Sequence, residues 1–301
     1  MLRHGKVIIS CTSTHDRMEY LYYSLQSILR QTFKPDVIHV NLSKTPYLRD
    51  SGVDSKPDWL ESELIEVNFV ENLGSYRKLI PTYGMAGHDD LIITIDDDVI
   101  YHKEWLSMMV GAADQHPDAI VCARARIIKK NIFGKWVNYN NWKRVRNATT
   151  SFWLLPIGCS GVVYRKHLLF EEFFYNRKFL DIASVNDDLW FRIASMLNNV
   201  PVYVNPSFDT ENIKFPHNKG LANNNLFSYK GKILPLKIYN KLLSLILGNL
   251  GFSLTGNDKA WKDINCFISE YDTSIFHHDD KKNSSITHEE SNIKNKAENN
   301  M

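Results

Sequence analysis

The sequence of 301 residues predicts an α/β protein with a mostly parallel central sheet flanked by helices. Short apolar runs alternate with amphipathic helical patterns over residues 1–125, which is typical of such layers. Three consecutive aspartates directly follow one of these runs. In an open parallel sheet, ligands bind beyond the carboxyl ends of the strands, so the aspartates mark the expected functional edge.

The predicted elements follow one another in chain order. Strands are expected at residues 6–11, 37–40, 64–70, 91–95, 119–123, 159–164 and 201–205. Helices are expected at 18–29, between the third and fourth strands, at 105–113 and at 187–197. Asn186 or Asp187 is the expected cap of the last helix. The stretch KKNIFGKWVNYNNWKRVRN has no clean period and is expected to be a long loop or insertion.

Composition and charge set the broad class. With 44% hydrophobic and 23% charged residues, the chain can form a soluble globular core. The formal net charge of +2 does not favour nucleic-acid binding. Four scattered cysteines indicate a reducing compartment, and the first residues do not resemble a signal peptide, so the cytoplasm is expected.

Three segments are expected along the chain. A folded domain should cover residues 1–215, a helical segment 216–271, and a disordered tail 272–301. The apolar part of the helical segment is too interrupted to span a bilayer, so it should dock on the domain or lie in a membrane interface. Four lysines could then lie near anionic headgroups: Lys230, Lys232, Lys237 and Lys241.

The aspartates at 96–98 are the first candidate site. If the segment stays extended, Asp96 and Asp98 lie on one side, roughly 6.6 Å apart along the strand. At an effective dielectric near 20 they would repel by about 2.5 kcal/mol, so a positive charge is expected between them. Carboxylate oxygens suit Mg²⁺ or Mn²⁺. Substrate phosphates commonly complete the coordination shell of these ions. The alternative is a solvated, aspartate-rich turn.

Two further motifs carry charge at predicted helix starts. Asp187 and Asp188 open the helix at 187–197, where the helix dipole favours negative charge. Simple capping and a catalytic carboxylate at Asp188 are equally compatible with that position. The loop ENLGSYRKL places two cations in a first turn, where they oppose the dipole and suggest an anion partner. Exposed Arg-Lys pairs are common, so an ordinary surface is the alternative there.

Together these motifs resemble the nucleotide-sugar-dependent glycosyltransferases of the GT-A fold, in a family 2-like form. The resemblance covers residues 6–205 and is carried by STHDR, ILRQTFKPDVIHVNLS, ENLGSYRKL, ITIDDDVIY, IGCSGVVY and VNDDLWF. The likeness is strongest to exostosin-like and bacterial heparosan-type N-acetylglucosaminyltransferases. It implies a GT-A sheet with a donor half at 1–125 and a smaller acceptor half at 126–215.

The resemblance also implies roles for individual residues. It places a UDP-sugar donor, for instance UDP-GlcNAc, near Thr12, Arg17, Asn41, Asn72, Lys78, Asp96 and Asp97. It places Mn²⁺ or Mg²⁺ at Asp98 and Asp96, with His217 as a late contact. It implies catalysis by Asp188 with Asp187 beside it, either as the base that deprotonates the acceptor hydroxyl or as a carboxylate that steadies an oxocarbenium-like centre. The acceptor would be a glycan or lipid-linked glycan of bacterial capsule, O-antigen or lipooligosaccharide, reached at the inner face of the cytoplasmic membrane.

Two other classes of function remain open on the sequence. A haloacid dehalogenase-like phosphatase also places carboxylates after a strand, but its motif needs Thr or Val at the position of Ile100, and it normally follows the first strand. A non-catalytic nucleotide or glycan binding module is the other alternative. In that case Trp136, Trp142 and Trp153 could stack on sugars, although tryptophans in such a stretch more often pack in a core.

Overall fold

The structure is a computed structural model that describes residues 5–215, 245–269 and 271. The chain divides into two compact units, residues 1–264 and 265–301, and the features below belong to the first. None of the described helices is long and apolar enough to cross a membrane. The boundaries expected at 215 and 271 stay a prediction, because most of that segment is outside the described residues.

Within the described residues, twelve strands form the sheets. They are β1 Val7–Thr12, β2 Val37–Leu42, β3 Ile65–Phe69, β4 Leu91–Thr94, β5 Val99–Ile100, β6 Ile120–Cys122, β7 Ala125–Ile127, β8 Thr149–Ser151, β9 Leu154–Pro156, β10 Val162–Tyr164, β11 Val202–Val204 and β12 Ile213–Lys214. The central sheet has the order β3-β2-β1-β4-β10-β6-β11-β8. Two small pairs, β5 with β12 and β7 with β9, lie outside it. The predicted class, α/β with a mostly parallel central sheet, is confirmed.

The position of β10 differs from a simple parallel order. Strands β3, β2, β1 and β4 are parallel neighbours, but β10 lies between β4 and β6 and runs antiparallel to both. Val162 is opposite Thr94 on one side and Cys122 on the other. Because β10 is antiparallel, the loop that enters it reaches the carboxyl edge of β4. This loop therefore lies at the functional edge of the sheet.

Seven helices have both ends within the described residues, and residues 245–249 are helical as well. The seven are α1 Met18–Leu29, α2 Ile80–Met85, α3 Trp105–Gln115, α4 Glu171–Phe174, α5 Phe179–Ile182, α6 Asp187–Leu197 and α7 Gly256–Ile268. In α1 the buried side chains of Leu21, Leu25 and Ile28 recur at helical spacing. These residues pack in one core with the buried residues of β1, β2, β4 and α3.

The stretch expected to be a long loop, residues 129–147, contains no named strand and carries part of a buried aromatic cluster. Strands β7, β8 and β9 lie between β6 and β10 but outside this stretch, which has isolated bridges and a short 3₁₀ helix at Tyr139–Asn141. Trp142 and Trp153 are 2% and 8% exposed. Trp142 lies against Trp261 of α7, with ring centroids 5.2 Å apart, and its Nε1 donates to the Val137 carbonyl. The expectation of an irregular insertion is confirmed, and a distant helix supplies the partner that its apolar rings need.

Candidate functional site

The three aspartates after β4 lie in a turn rather than in an extended strand. Strand β4 ends at Thr94 and β5 begins at Val99, so strand alternation does not govern the residues between them. The side chains of Asp96 and Asp98 are 29% and 20% exposed, whereas that of Asp97 is 7% exposed. The outer two carboxylates therefore reach solvent and the middle one is buried.

Arg17 supplies a positive charge to this turn. Its Nε donates to Asp97 Oδ2 at 2.9 Å and its Nη2 to Asp98 Oδ2 at 3.0 Å. Ser13 Oγ donates to Asp97 Oδ2 at 2.6 Å. Burial lowers the pKa of Arg17, but the two aspartates outweigh it and hold the pKa above its ordinary value. Asp97 therefore fixes Arg17 and the turn against the end of β1.

Lys78 joins the two acidic motifs. Its Nζ lies 2.7 Å from Asp187 Oδ2, 3.7 Å from Asp96 Oδ1 and 3.8 Å from Asp188 Oδ1. Burial would lower the pKa of Lys78, but the three carboxylates raise it well above its ordinary value. The anion expected for this cation is thus supplied by the chain itself, and the turn after β4 meets the start of α6 through one ammonium group.

Asp188 is the open carboxylate of the second motif. Its side chain is 28% exposed, against 9% for Asp187, and its Oδ2 accepts the Gly158 N–H at 3.0 Å. Burial raises the pKa of Asp188 to about 7 and that of Asp96 to about 6, although Lys78 lowers both. Asn186 is the N-cap residue of α6 as predicted, but it makes no side-chain capping bond and instead donates to Asn257 Oδ1 at 2.6 Å.

The loop before β10 fits closely around this cluster. A β-carbon on Gly158 would lie 2.6 Å from Lys78 Nζ and 2.8 Å from Asp188 Oδ1. Ser160 and Gly161 have φ values of +96° and +106°, in a region that favours glycine. Trp105 Nε1 donates to the Ser160 carbonyl at 3.0 Å. Gly158 was not among the predicted site residues, although a glycine in the motif IGCSGVVY is a signal for such a close approach.

Arg77 and Asn72 form a separate buried network. Arg77 Nη2 donates to Asp50 Oδ2 at 2.7 Å, and Asn72 Nδ2 donates to the same oxygen at 3.1 Å. Asn72 Oδ1 accepts the Gly74 N–H at 3.2 Å. Arg77 is 1% exposed. The network shapes the loop that carries Lys78, and neither Asp50 nor Arg77 was among the predicted site residues.

Thr12 and Asn41 lie at the ends of neighbouring strands behind the acidic turn. Thr12 Oγ1 donates to the Asn41 carbonyl at 2.7 Å. Asn41 has no exposed surface, and its Nδ2 donates to the Arg77 carbonyl at 2.9 Å and to Thr82 Oγ1 at 3.0 Å. Asn41 is therefore part of the support beneath the site and is not at its open face.

The open carboxylates have the chemistry of a divalent-metal site. His217, like the four lysines named with it in sequence, is outside the described residues. Within the part of the chain that the structure describes, no group of three or more His, Cys, Asp or Glu side chains is placed to hold a metal. Asp96 and Asp98 still offer hard oxygen ligands, and Mg²⁺ commonly binds through one or two carboxylates plus substrate phosphates. Asp97 is already engaged by Arg17 and Ser13.

Comparison with known structures finds crystal structures of TarS from S. aureus. With TarS 1–349 the identity is 17%, the TM-score 0.44, and the match covers 66% of this chain and 58% of that one. With TarS 1–349 in complex with UDP-GlcNAc the identity is 15%, the TM-score 0.43, and coverage 89% and 74%. The chain therefore spans less than two thirds of the first of these structures. No curated protein matches the sequence significantly.

A protein-family model gives a direct assignment. The model described as glycosyl transferase family 2 matches residues 10–174, more than half of the chain. The matched range includes the acidic turn and the Gly158 loop, and it ends before α6. As the resemblance to GT-A glycosyltransferases predicted, this chain belongs to glycosyl transferase family 2.

Proposed function

We propose that the protein transfers a sugar from a UDP-sugar to the hydroxyl group of a glycan acceptor. One observation carries the proposal: Lys78 gathers the two acidic motifs at the carboxyl edge of the sheet, which leaves Asp96, Asp98 and Asp188 partly open to solvent. Ligands of open α/β sheets bind at this edge. A donor diphosphate and a reacting hydroxyl can thus approach different carboxylates of one cluster.

The charge balance of the site supports a metal-dependent donor complex. Among the residues that the structure describes, five carboxylates lie around the two cations Arg17 and Lys78: Asp96, Asp97, Asp98, Asp187 and Asp188. A diphosphate adds further negative charge, so its binding requires added positive charge. In the proposal Asp96 and Asp98 hold Mn²⁺ or Mg²⁺, which would neutralise the diphosphate and improve the leaving group. Arg17, fixed by Asp97, adds a permanent charge at the same edge.

In the proposed step, Asp188 acts as the general base. Its carboxylate takes the proton of the acceptor hydroxyl while the hydroxyl oxygen bonds to the anomeric carbon of the donor sugar. The bond from that carbon to the diphosphate oxygen breaks, and its electron pair leaves with UDP. A base works best when its pKa is near the working pH, and the pKa of Asp188 is raised to about 7. Asp187 holds Lys78 in place beneath it.

The two alternative classes fit less well. Membership of glycosyl transferase family 2 argues against the phosphatase interpretation, and the aspartates follow the fourth strand rather than the first. The binding-module interpretation relied on tryptophans as sugar platforms. Trp142 and Trp153 are instead buried. They pack with neighbouring rings and serve the core.

Release of UDP from a panel of UDP-sugars tests the proposal. With a glycan acceptor and Mn²⁺, we expect release from one donor, UDP-GlcNAc being the first to try, and loss of release with a chelator. Asp98→Asn should lower metal-dependent release by about a hundredfold or more, because a charged oxygen ligand is lost. The surface substitution Lys103→Met is the control and should leave release unchanged. No release from any donor, together with no metal-dependent nucleotide binding, would refute the proposal.

The Gly158 loop gives an independent test. Gly158→Ala should push Lys78 and Asp188 apart, reduce transfer by about tenfold or more, and cost about 1–3 kcal/mol of unfolding free energy. Gly111→Ala is the matched control, since a β-carbon at Gly111 in α3 would meet nothing within 4 Å. That control should stabilise the helix by about 0.5–1 kcal/mol. Steady-state transfer rates and thermal unfolding measure both effects. Equal transfer rates in the two variants would show that the close fit of Gly158 against Lys78 and Asp188 does not matter for transfer.

The pathway and the place of action remain proposals: synthesis of a bacterial surface polysaccharide, on a glycan or lipid-linked glycan at the inner membrane face. Ile132 and Phe133 support a peripheral contact, since they are 94% and 71% exposed at a hairpin tip. Large apolar side chains at such exposure suit the interfacial region of a bilayer. Flotation of the full chain with vesicles containing anionic lipid would test this contact.

A further inference from the structure

A basic cavity lies beside the Gly158 loop, outside the acidic cluster. It has a volume of about 360 Å³, and its charged lining residues are Arg124, Arg144, Arg146 and Asp209. The wall is completed by apolar residues: Ala123, Ala125, Val145, Ile157 and Pro206. None of the aspartates at 96–98 lines this cavity. It is therefore a separate recess of the same face.

The positive charge in this cavity is largely unbalanced. Asp209, its single carboxylate, forms an ion pair with Arg124 and also lies 3.5 Å from Lys214 Nζ. Arg144 and Arg146 are exposed, and the described part of the chain provides no hydrogen bond or ion pair to their side chains. Cations that lack a carboxylate partner in a shared recess attract an anion.

A neighbouring half-buried arginine increases this excess. Burial lowers the pKa of Arg126, and the nearby charge of Arg144 lowers it further. Arg126 Nη1 donates to the backbone carbonyls of Trp142 at 2.9 Å and Tyr139 at 3.3 Å, and its guanidinium lies 4.7 Å from the centre of the Tyr139 ring. An anion bound between Arg144 and Arg146 would relieve this repulsion as well as pair with the guanidinium forks.

The cavity adjoins the proposed base. Ile157 lines it, and the Ile157 N–H donates to the Arg124 carbonyl at 2.9 Å. The next residue, Gly158, donates its N–H to Asp188. Ile157, which lines the cavity, is therefore adjacent in sequence to the residue that contacts Asp188, the carboxylate that would activate the acceptor. The cavity lies beside the segment between β6 and β10.

We propose that this cavity binds a phosphate or carboxylate group of the acceptor, so that the enzyme glycosylates an anionic glycan. The inference rests on the proposed function, because it takes Asp188 as the acceptor-side base. The planar forks of Arg144 and Arg146 bind the anion, and Arg124 is held in position by Asp209. The anionic group then orients a neighbouring hydroxyl toward Asp188.

The test compares matched acceptors, the same oligosaccharide with and without a phosphate or uronic carboxylate. Wild type should prefer the anionic member by about tenfold or more in kcat/KM. Arg144→Ala with Arg146→Ala should remove that preference mainly through KM, with the KM for the UDP-sugar changed less than twofold. Arg30→Ala with Lys103→Ala removes the same charge from two exposed positions and should keep the preference. Equal use of both acceptors by wild type would overturn the inference, as would a variant that loses donor affinity instead.

A binding experiment separates this inference from the proposed function. Inorganic phosphate is titrated against the full chain in the presence of chelator, with tryptophan fluorescence as the readout. Saturable binding that is lost in the Arg144 and Arg146 double variant, but kept in the Arg30 and Lys103 variant, supports the cavity even if no UDP is released. Binding that is unaffected by the double variant counts against the cavity even if transfer is observed.

Discussion

Replacing Asp188 by asparagine is expected to abolish transfer while making the protein more stable above pH 7. Asparagine keeps the shape and can accept the Gly158 N–H, but it cannot take a proton from the acceptor. Loss of a general base commonly costs about 10²–10⁴ in rate. Donor binding should change little, because Asp96, Asp98 and Arg17 are untouched. Single-turnover transfer and donor titration measure these two effects separately.

The stability effect of Asp188→Asn depends on pH in a defined direction. Burial raises the pKa of Asp188 in the folded protein to about 7, above its value of 3.8 in an unfolded chain. The folded state therefore binds the extra proton, and the stability associated with it is present below about pH 4 and lost as pH rises to about 7. Asparagine cannot ionise, so the free energy of unfolding of the variant should exceed that of wild type by up to about 4 kcal/mol at pH 8 and match it near pH 4.

The transfer rate of the wild-type enzyme should fall as pH decreases. As pH falls below about 7, Asp188 becomes protonated and kcat/KM should decrease, which gives an acid limb in the pH profile. Asp98→Asn, which removes a metal ligand instead of the base, should lower the rate without removing this limb. A pH-independent rate between pH 5 and 8, or a Asp188→Asn variant that keeps more than a tenth of the activity, would show that Asp188 is not the base.

Replacing Lys78 by methionine should lower the free energy of unfolding by about 3–5 kcal/mol at pH 8, because it leaves the carboxylates of this cluster without their shared cation. Lys78 contacts Asp187 at 2.7 Å and lies within 3.8 Å of both Asp96 and Asp188. Without it, the pKa values of Asp96 and Asp188 should rise further, since Lys78 lowers both. The destabilisation should therefore shrink as pH falls and the carboxylates become protonated.

Urea unfolding of Lys78→Met at pH 8 and pH 5 measures this dependence. Lys78→Arg keeps the charge but not the compact ammonium, and it should retain most of the stability with reduced transfer. Lys103→Met is the matched control, because Lys103 is exposed, and it should leave both properties unchanged. A Lys78→Met loss that is the same at both pH values would indicate a packing defect rather than unpaired carboxylates.

The local parts of the fold could be predicted from the sequence. Helices α1 and α6 have the predicted bounds because their apolar spacing is regular, and the strands lie within about a residue or two of their apolar runs at most ends. These signals depend on neighbouring residues only.

The missed features depend on contacts between distant residues. The cation pair at Arg77 and Lys78 was read as awaiting an external anion, because nothing local shows that Asp50 and Asp187 come to meet it. The antiparallel entry of β10 cannot be read from its apolar run, which has no direction of its own. The packing of the aromatic stretch could not be predicted, because Trp261, one of its partners, lies more than a hundred residues later.

The place of β10 in the sheet has a consequence for how specificity can evolve. Arg17, Lys78, Asp96 and Asp98 precede β6, whereas Arg124, Arg144 and Arg146 follow it and belong to the stretch that ends at β10. On the two proposals above, donor and acceptor preferences are encoded in consecutive, non-overlapping stretches of the chain. Substitutions between β6 and β10 can then redirect the enzyme to a new acceptor while the inherited donor chemistry stays intact, and exchanging that stretch between relatives is a direct route to altered polymers.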